Sequence, residues 1–175
     1  MKVPRILVAG LGNIFLGDDA FGVEVVRELR RQRIPEGVYV EDFGIRSYDL
    51  AFEIAKGYDA IILVDATSRG DPAGTVSLIK PDLNQLSSGA LCGNGHALTP
   101  VSVLELTRSL QIEMGRLFLV GCEPAVLETE DLAALSEPVA AAVPLAVEMI
   151  QSLIAELRGQ PTAREKVPMT KGVVI

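Results

Sequence analysis

Residues 6–23, Ile6-Leu7-Val8-Ala9-Gly10-Leu11-Gly12-Asn13-Ile14-Phe15-Leu16-Gly17-Asp18-Asp19-Ala20-Phe21-Gly22-Val23, set the architecture of the chain. Arg5 through Ala9 reads as the first strand, its Ile6-Leu7-Val8-Ala9 continuously apolar in the pattern of a parallel strand buried on both faces. Glycines at 10, 12 and 17 then break it into a tight loop. A helix is predicted from Asp18 or Asp19, with Phe21, Val25, Val26 and Leu29 on one face and Glu24, Arg27, Glu28 and Arg31 on the other. One aspartate is needed as the N-cap, and negative charge suits the positive end of a helix dipole. Two adjacent carboxylates exceed that need.

Working outward, the α/β alternation continues. Val38 to Asp42 reads as a second strand, and Asp49 caps a short helix through Ala55, closed by Gly57. The third strand, Ala60 to Val64, ends in Asp65. A turn over 68–74 leads to a strand at Thr75–Ile79; with no helix between, this strand is expected antiparallel to the third, at an edge. A loop from Pro81 to Leu98 carries His96, the only histidine. Thr99 as N-cap and Pro100 at the first helical position open another helix. Leu117 to Val120 is the last strand. A final helix runs from Ser136 to Leu157, with a kink expected at Pro144. The prediction is a single-domain three-layer α/β/α sandwich over residues 1–158. Its mostly parallel five-stranded twisted sheet has one antiparallel edge strand. Residues 159–175 form a loosely ordered C-terminal tail.

Composition narrows the function. At 175 residues one domain is the default, and such a chain buries roughly 70% of its unfolded surface without disulfides or structural metal. Apolar residues make up 49% and charged residues 22%, too apolar for disorder. Sixteen Lys and Arg against twenty-three Asp and Glu give −7, with no basic run, which argues against nucleic acid. No stretch of about 18 uncharged apolar residues suggests a membrane span. The opening Met1-Lys2-Val3-Pro4-Arg5 leads straight into a strand rather than a signal peptide, so a cytoplasmic location is expected. Cys92 and Cys122 suggest neither a disulfide framework nor a redox pair.

Three polar positions stand out. Asp65 ends a strand of aliphatics, at the rim where α/β sheets hold ligands, although Asp65-Ala66-Thr67-Ser68 is also turn chemistry. Asp18 and Asp19 follow the first strand. His96 sits in Cys92-Gly93-Asn94-Gly95-His96, where glycines let the backbone present it tightly; Cys92 alone is a weak metal signal. In the common strand order 2-1-3, Asp19 and Asp65 flank the crevice between the carboxyl ends of the first and third strands. The loop with His96 returns to a neighbouring rim. Two carboxylates and one imidazole form an open oxygen–nitrogen site for a borderline divalent metal such as nickel or zinc. A dinucleotide fold is the rival, because Gly10-x-Gly12 and Glu41 or Asp42 mimic its fingerprint. Phe15 replaces its third glycine, however, and Asp18 and Asp19 would face the pyrophosphate.

The opening motif closely resembles that of the nickel-iron hydrogenase maturation endopeptidases. Leu63-Val64-Asp65-Ala66, the His96 loop, Gly121-Cys122-Glu123-Pro124 and Ser136-Glu137-Pro138-Val139 also look like the family pattern, which covers nearly all of residues 5–157. The resemblance implies a cytosolic endopeptidase that removes a C-terminal extension from the nickel-iron hydrogenase large-subunit precursor once nickel is inserted. It implies a twisted sheet with helices on both faces. It also implies that nickel, presented by the substrate, is the recognition element, and that Asp19, Asp65 and His96 are its contacts and the catalytic residues. Resting enzyme then holds no tightly bound metal, and a monomer is expected. Two departures stand out. Family members often carry Glu where this chain has Asp19, a side chain shorter by one C–C bond of roughly 1.5 Å. Phe43-Gly44-Ile45-Arg46-Ser47-Tyr48 stands where many have a Gly-Thr turn, which bears on substrate choice. Arg46 is a candidate partner for a precursor carboxylate.

With the only histidine assigned to metal, no serine or cysteine has a visible base, which disfavours covalent catalysis; Cys122, at a strand end, is the remaining candidate nucleophile. Water activated by a carboxylate or by the metal is expected instead. Two other classes remain: a non-catalytic checkpoint protein that binds nickel-loaded precursor, and a related-fold peptidase with an unrelated protein substrate.

Overall fold

A computed structural model describes residues 3–81, 100–125 and 134–159. Among the described residues five strands form one sheet: β1 (Ile6–Leu11), β2 (Val38–Gly44), β3 (Ala60–Ala66), β4 (Val76–Ile79) and β5 (Arg116–Cys122). The order is β2-β1-β3-β5-β4, parallel except for the β4–β5 edge pair. The helices are α1 (Phe21–Arg30), α2 (Ser47–Ile54), α3 (Pro100–Ser109) and α4 (Glu137–Leu157). The expected fold class is therefore observed. β4 is antiparallel and at the edge, as its short link to β3 requires, but it pairs with β5, which slots between them. Loop length dictates the direction of a strand, not its neighbour.

Side-chain alternation divides the core into two layers. Ile6, Val8, Ala60, Ile62, Val64, Phe118, Val120 and Cys122 face α1 and α4. Leu7, Ala9, Leu11, Ile61, Leu63, Leu117 and Leu119 face α2 and α3, meeting Leu50, Ile54 and Val103. α4 is long and apolar enough to cross a bilayer by length and composition. Its Val139, Ala142, Ala146, Val147, Ile150, Leu153 and Ile154 are instead buried in the first layer.

The glycines of the opening motif serve close packing. A Cβ on Gly22 would lie 2.1 Å from the Val64 carbonyl oxygen and 2.4 Å from that of Leu11, and one on Gly10 would lie 2.5 Å from the Gly22 oxygen. These two positions let the first turn of α1 rest directly on β1 and β3. This explains the glycines without a phosphate.

Two helix starts differ from expectation. α1 is preceded by a single 3-10 turn, Gly17–Ala20, and neither aspartate caps it. α2 begins at Ser47, two residues before Asp49, with no side-chain cap. The Arg46 guanidinium binds the carbonyls of Asp42 and Phe43 (the latter at 3.2 Å) and pairs with Asp49 at 3.4 Å, which fixes the turn into the helix. Gly57 closes the helix as expected, its N–H donating to the Ile54 carbonyl at 3.0 Å. The loop and cap expected at 82–99, His96 and Cys92 among them, and the tail from 160 onward lie outside the described residues.

Candidate active site

Asp19 is placed by backbone, not by a cap. Gly12 has φ +119°, and a Cβ there would come within 1.7 Å of the Asp19 carbonyl oxygen, so the 3-10 turn lies against a position only glycine can fill. The Asn13 N–H donates to Asp19 Oδ2 at 2.7 Å, and Asn13 Oδ1 accepts the Phe15 N–H at 3.0 Å. The loop after β1 thereby fixes a half-buried carboxylate at the carboxyl end of the sheet. Burial pushes its pKa above the ordinary value, against the pull of the Asn13 bond.

Asp65 continues the alternation of Ile61 and Leu63, so it faces the α2/α3 side, opposite Gly121 in the β3–β5 register. It is 5% exposed. Burial, joined by the negative charge of Asp19, holds its carboxyl well above the usual carboxylate range, with a hydrogen bond from the Ala66 backbone acting the other way. The charge of Asp19 thus reaches Asp65 across the ends of two neighbouring strands. Among the described residues neither forms an ion pair. Two carboxylates without a counter-charge can take up a proton or a cation. Among the described residues no three His, Cys, Asp or Glu side chains converge as a metal site would require, and His96 lies outside the description.

Asp18 does something else. It is 1% exposed, and it accepts the Ala125 N–H at 2.8 Å, the Ser136 N–H at 2.7 Å and the Ser136 hydroxyl at 2.9 Å. The carboxylate expected as a possible cap for its own helix ties the 3-10 turn to the exit of β5 and the start of α4. Glu123 plays a similar part, accepting the Arg69 N–H at 2.6 Å and the Gly70 N–H and Ser68 hydroxyl at 3.3 Å. It braces the chain leaving Asp65.

Cys122 is excluded as the nucleophile by parity. It alternates with Val120 on the α1/α4 face, the side of the sheet away from Asp65. It is fully buried, and burial together with the charges of Asp18 and Glu123 pushes its thiol up to about 12. A buried thiol of that kind is inert. Arg46, the expected carboxylate partner, is committed to the β2–α2 turn. Thr67 was missed. Two residues past Asp65, its N–H extends the ladder to the Cys122 carbonyl at 2.8 Å, while its buried hydroxyl has no partner. A Cβ on Gly121 would lie 2.9 Å from that oxygen, so the glycine makes room for it. The Asp65-x-Thr67 spacing, read with strand period 2, is the signal that could have found it.

A cavity of about 700 Å³ opens elsewhere, lined by Arg5, Lys56, Tyr58, Asp59 and Gly115 at the amino-terminal end of the strands. In parallel α/β sheets ligands bind at the carboxyl end, so the carboxylates there rather than this cavity are the candidate site.

A family model described as hydrogenase maturation protease matches residues 23–153. The chain belongs to this family. A hydrogenase expression/formation protein, HupM, of Azotobacter chroococcum is 33% identical over 164 residues, covering 93% of this chain and 77% of its own length. The hydrogenase 2 maturation protease of Escherichia coli is 30% identical over 171 residues, covering 93% and 98%. Among solved structures, the hydrogenase maturating endopeptidase HybD of E. coli superposes with a TM-score of 0.72 at 30% identity, over 87% of this chain and 93% of that one. The protein is therefore an enzyme, a protease of the hydrogenase maturation family.

Proposed function

We propose that this protease removes the C-terminal extension of a nickel-iron hydrogenase large-subunit precursor after nickel insertion. Nickel within the precursor is the recognition element, held by Asp19, Asp65 and His96. The observation that carries the reading is the carboxylate pair: two acids kept together at one rim, without a counter-charge among the described residues, suit a cation that arrives with the substrate. Carboxylate and imidazole donors match a borderline divalent ion. Water oxygen bonds to the scissile carbonyl carbon and a water proton passes to a carboxylate of the pair. The leaving amine takes up that proton as the C–N bond breaks. A carboxyl whose pKa is raised is a stronger base than an ordinary aspartate, which suits this role.

Intact mass measurement of nickel-loaded and nickel-free precursor after incubation with the protein tests the reading. Loss of a C-terminal peptide from the loaded form alone is the expected result. Equal cutting of both forms contradicts nickel recognition, and binding without any mass loss contradicts proteolysis.

A further inference from the structure

α2 buries Leu50, Ala51 and Ile54 against the sheet, so its outer face is free to be polar. It is not polar. Tyr48 and Phe52, four residues apart and hence on one face, stand 66% and 63% exposed. Ile45 just before the helix is 60% exposed, and Phe15 and Ile14 on the loop after β1 are 58% and 42% exposed. The two segments leave the sheet side by side, joined by the Gly12 N–H to the Gly44 carbonyl at 3.1 Å. Single exposed apolar side chains are ordinary; five on adjoining segments are not. Three aromatic rings of about 200 Å² each, nearly two-thirds exposed, present roughly 400 Å². That matches a functional patch on a monomer and is about half of the roughly 800 Å² per partner in a stable complex. The area fits the anchoring core of a transient encounter, not a permanent subunit contact.

Position identifies the encounter. Asn13 holds the Asp19 carboxylate with its N–H and the Phe15 amide with its Oδ1, so one residue fixes both the site and the base of the exposed ring. At the edge of the patch Arg46 and Asp49 neutralise one another. We infer that Phe15, Ile45, Tyr48 and Phe52 form the surface on which the folded body of the protein substrate docks through an apolar patch of its own. Docking there lets the segment to be cut reach Asp19 and Asp65. The inference rests on the proposed function and deepens it: these side chains set which precursor is accepted, and the chemical step is left to the carboxylates.

The test is steady-state cleavage of nickel-loaded large-subunit precursor by the wild type and by Tyr48→Ser/Phe52→Ser, with urea melts to confirm an unchanged fold. Both side chains are exposed, so the melts should coincide. The expected result is a KM raised tenfold or more with kcat within twofold. A wild type that cleaves while the variant keeps its KM, or loses only kcat, overturns the docking surface and leaves the proposed function standing. A wild type that cleaves no precursor overturns both. A wild-type dimer in sedimentation that becomes monomeric in the variant, at unchanged KM, assigns the patch to a second copy of this chain and overturns the inference.

Discussion

Asp18 and Asp19 are identical neighbours with opposite expected responses to substitution. Asp18→Ala removes the acceptor of three hydrogen bonds of 2.7–2.9 Å at a position 1% exposed. Bonds to a charged acceptor contribute about 1.5–3 kcal/mol each, and a buried N–H left without a partner costs about 1–3 kcal/mol. The bonds share one carboxylate and are not additive. Ala125 is exposed and Ser136 half-buried, so water partly replaces the lost acceptor and the loss is about 2–3 kcal/mol. At this chain length that lowers Tm by about 4–12 °C. Asp19→Asn keeps an oxygen for the Asn13 N–H and removes the charge that opposes ionisation of Asp65. Its stability should lie within about 1 kcal/mol of the wild type, or slightly above it, at pH 7. Urea melts of both variants, with Asp18→Asn as a milder companion, measure the contrast. Equal effects at the two positions, or a loss below about 1 kcal/mol for Asp18→Ala, would refute the division into one anchoring and one reactive carboxylate.

Asp65→Asn should stabilise the protein, increasingly so as pH rises. The folded-state pKa of Asp65 lies above its unfolded value, so no penalty exists below the unfolded pKa and the full penalty applies above the folded one. Each unit of separation corresponds to about 1.4 kcal/mol; melts at pH 4, 6 and 8 should show the gap opening, and a constant gap contradicts the burial account. Cys122→Ala should retain cleavage activity, and native protein should resist alkylation at this thiol, checked by mass after iodoacetamide. Gly22→Ala forces a Cβ to within 2.1 Å of the Val64 carbonyl and should cost about 3 kcal/mol or more, measured by denaturant midpoint.

What the sequence disclosed follows the range of the forces involved. β1 and β3 were legible because strands buried on both faces write themselves as unbroken aliphatic runs. Asp65 stood out in the sequence because packing does not call for a carboxylate at the end of such a run, although turn chemistry does allow one. The neighbour of β4 was not, since β5 enters that pairing from about 40 residues further along the chain. The partner of Asp18 was equally hidden: Ser136 lies 118 residues away, and one hydrogen bond leaves no periodic trace. The start of α2 was misplaced because an arginine side chain, not an aspartate, organises the preceding turn. The seclusion of Cys122 was available from strand parity alone, once β3 and β5 are taken as neighbours.

The central claim is that Asp19 and Asp65 grip the metal carried by the precursor. Anomalous diffraction at the nickel edge, from crystals of the protein with nickel-loaded precursor, tests it most directly. The account predicts one nickel peak within about 2 Å of an oxygen from each aspartate, with His96 completing the protein's share. Nickel ligated by the precursor alone, with both carboxylates pointing elsewhere, would contradict it.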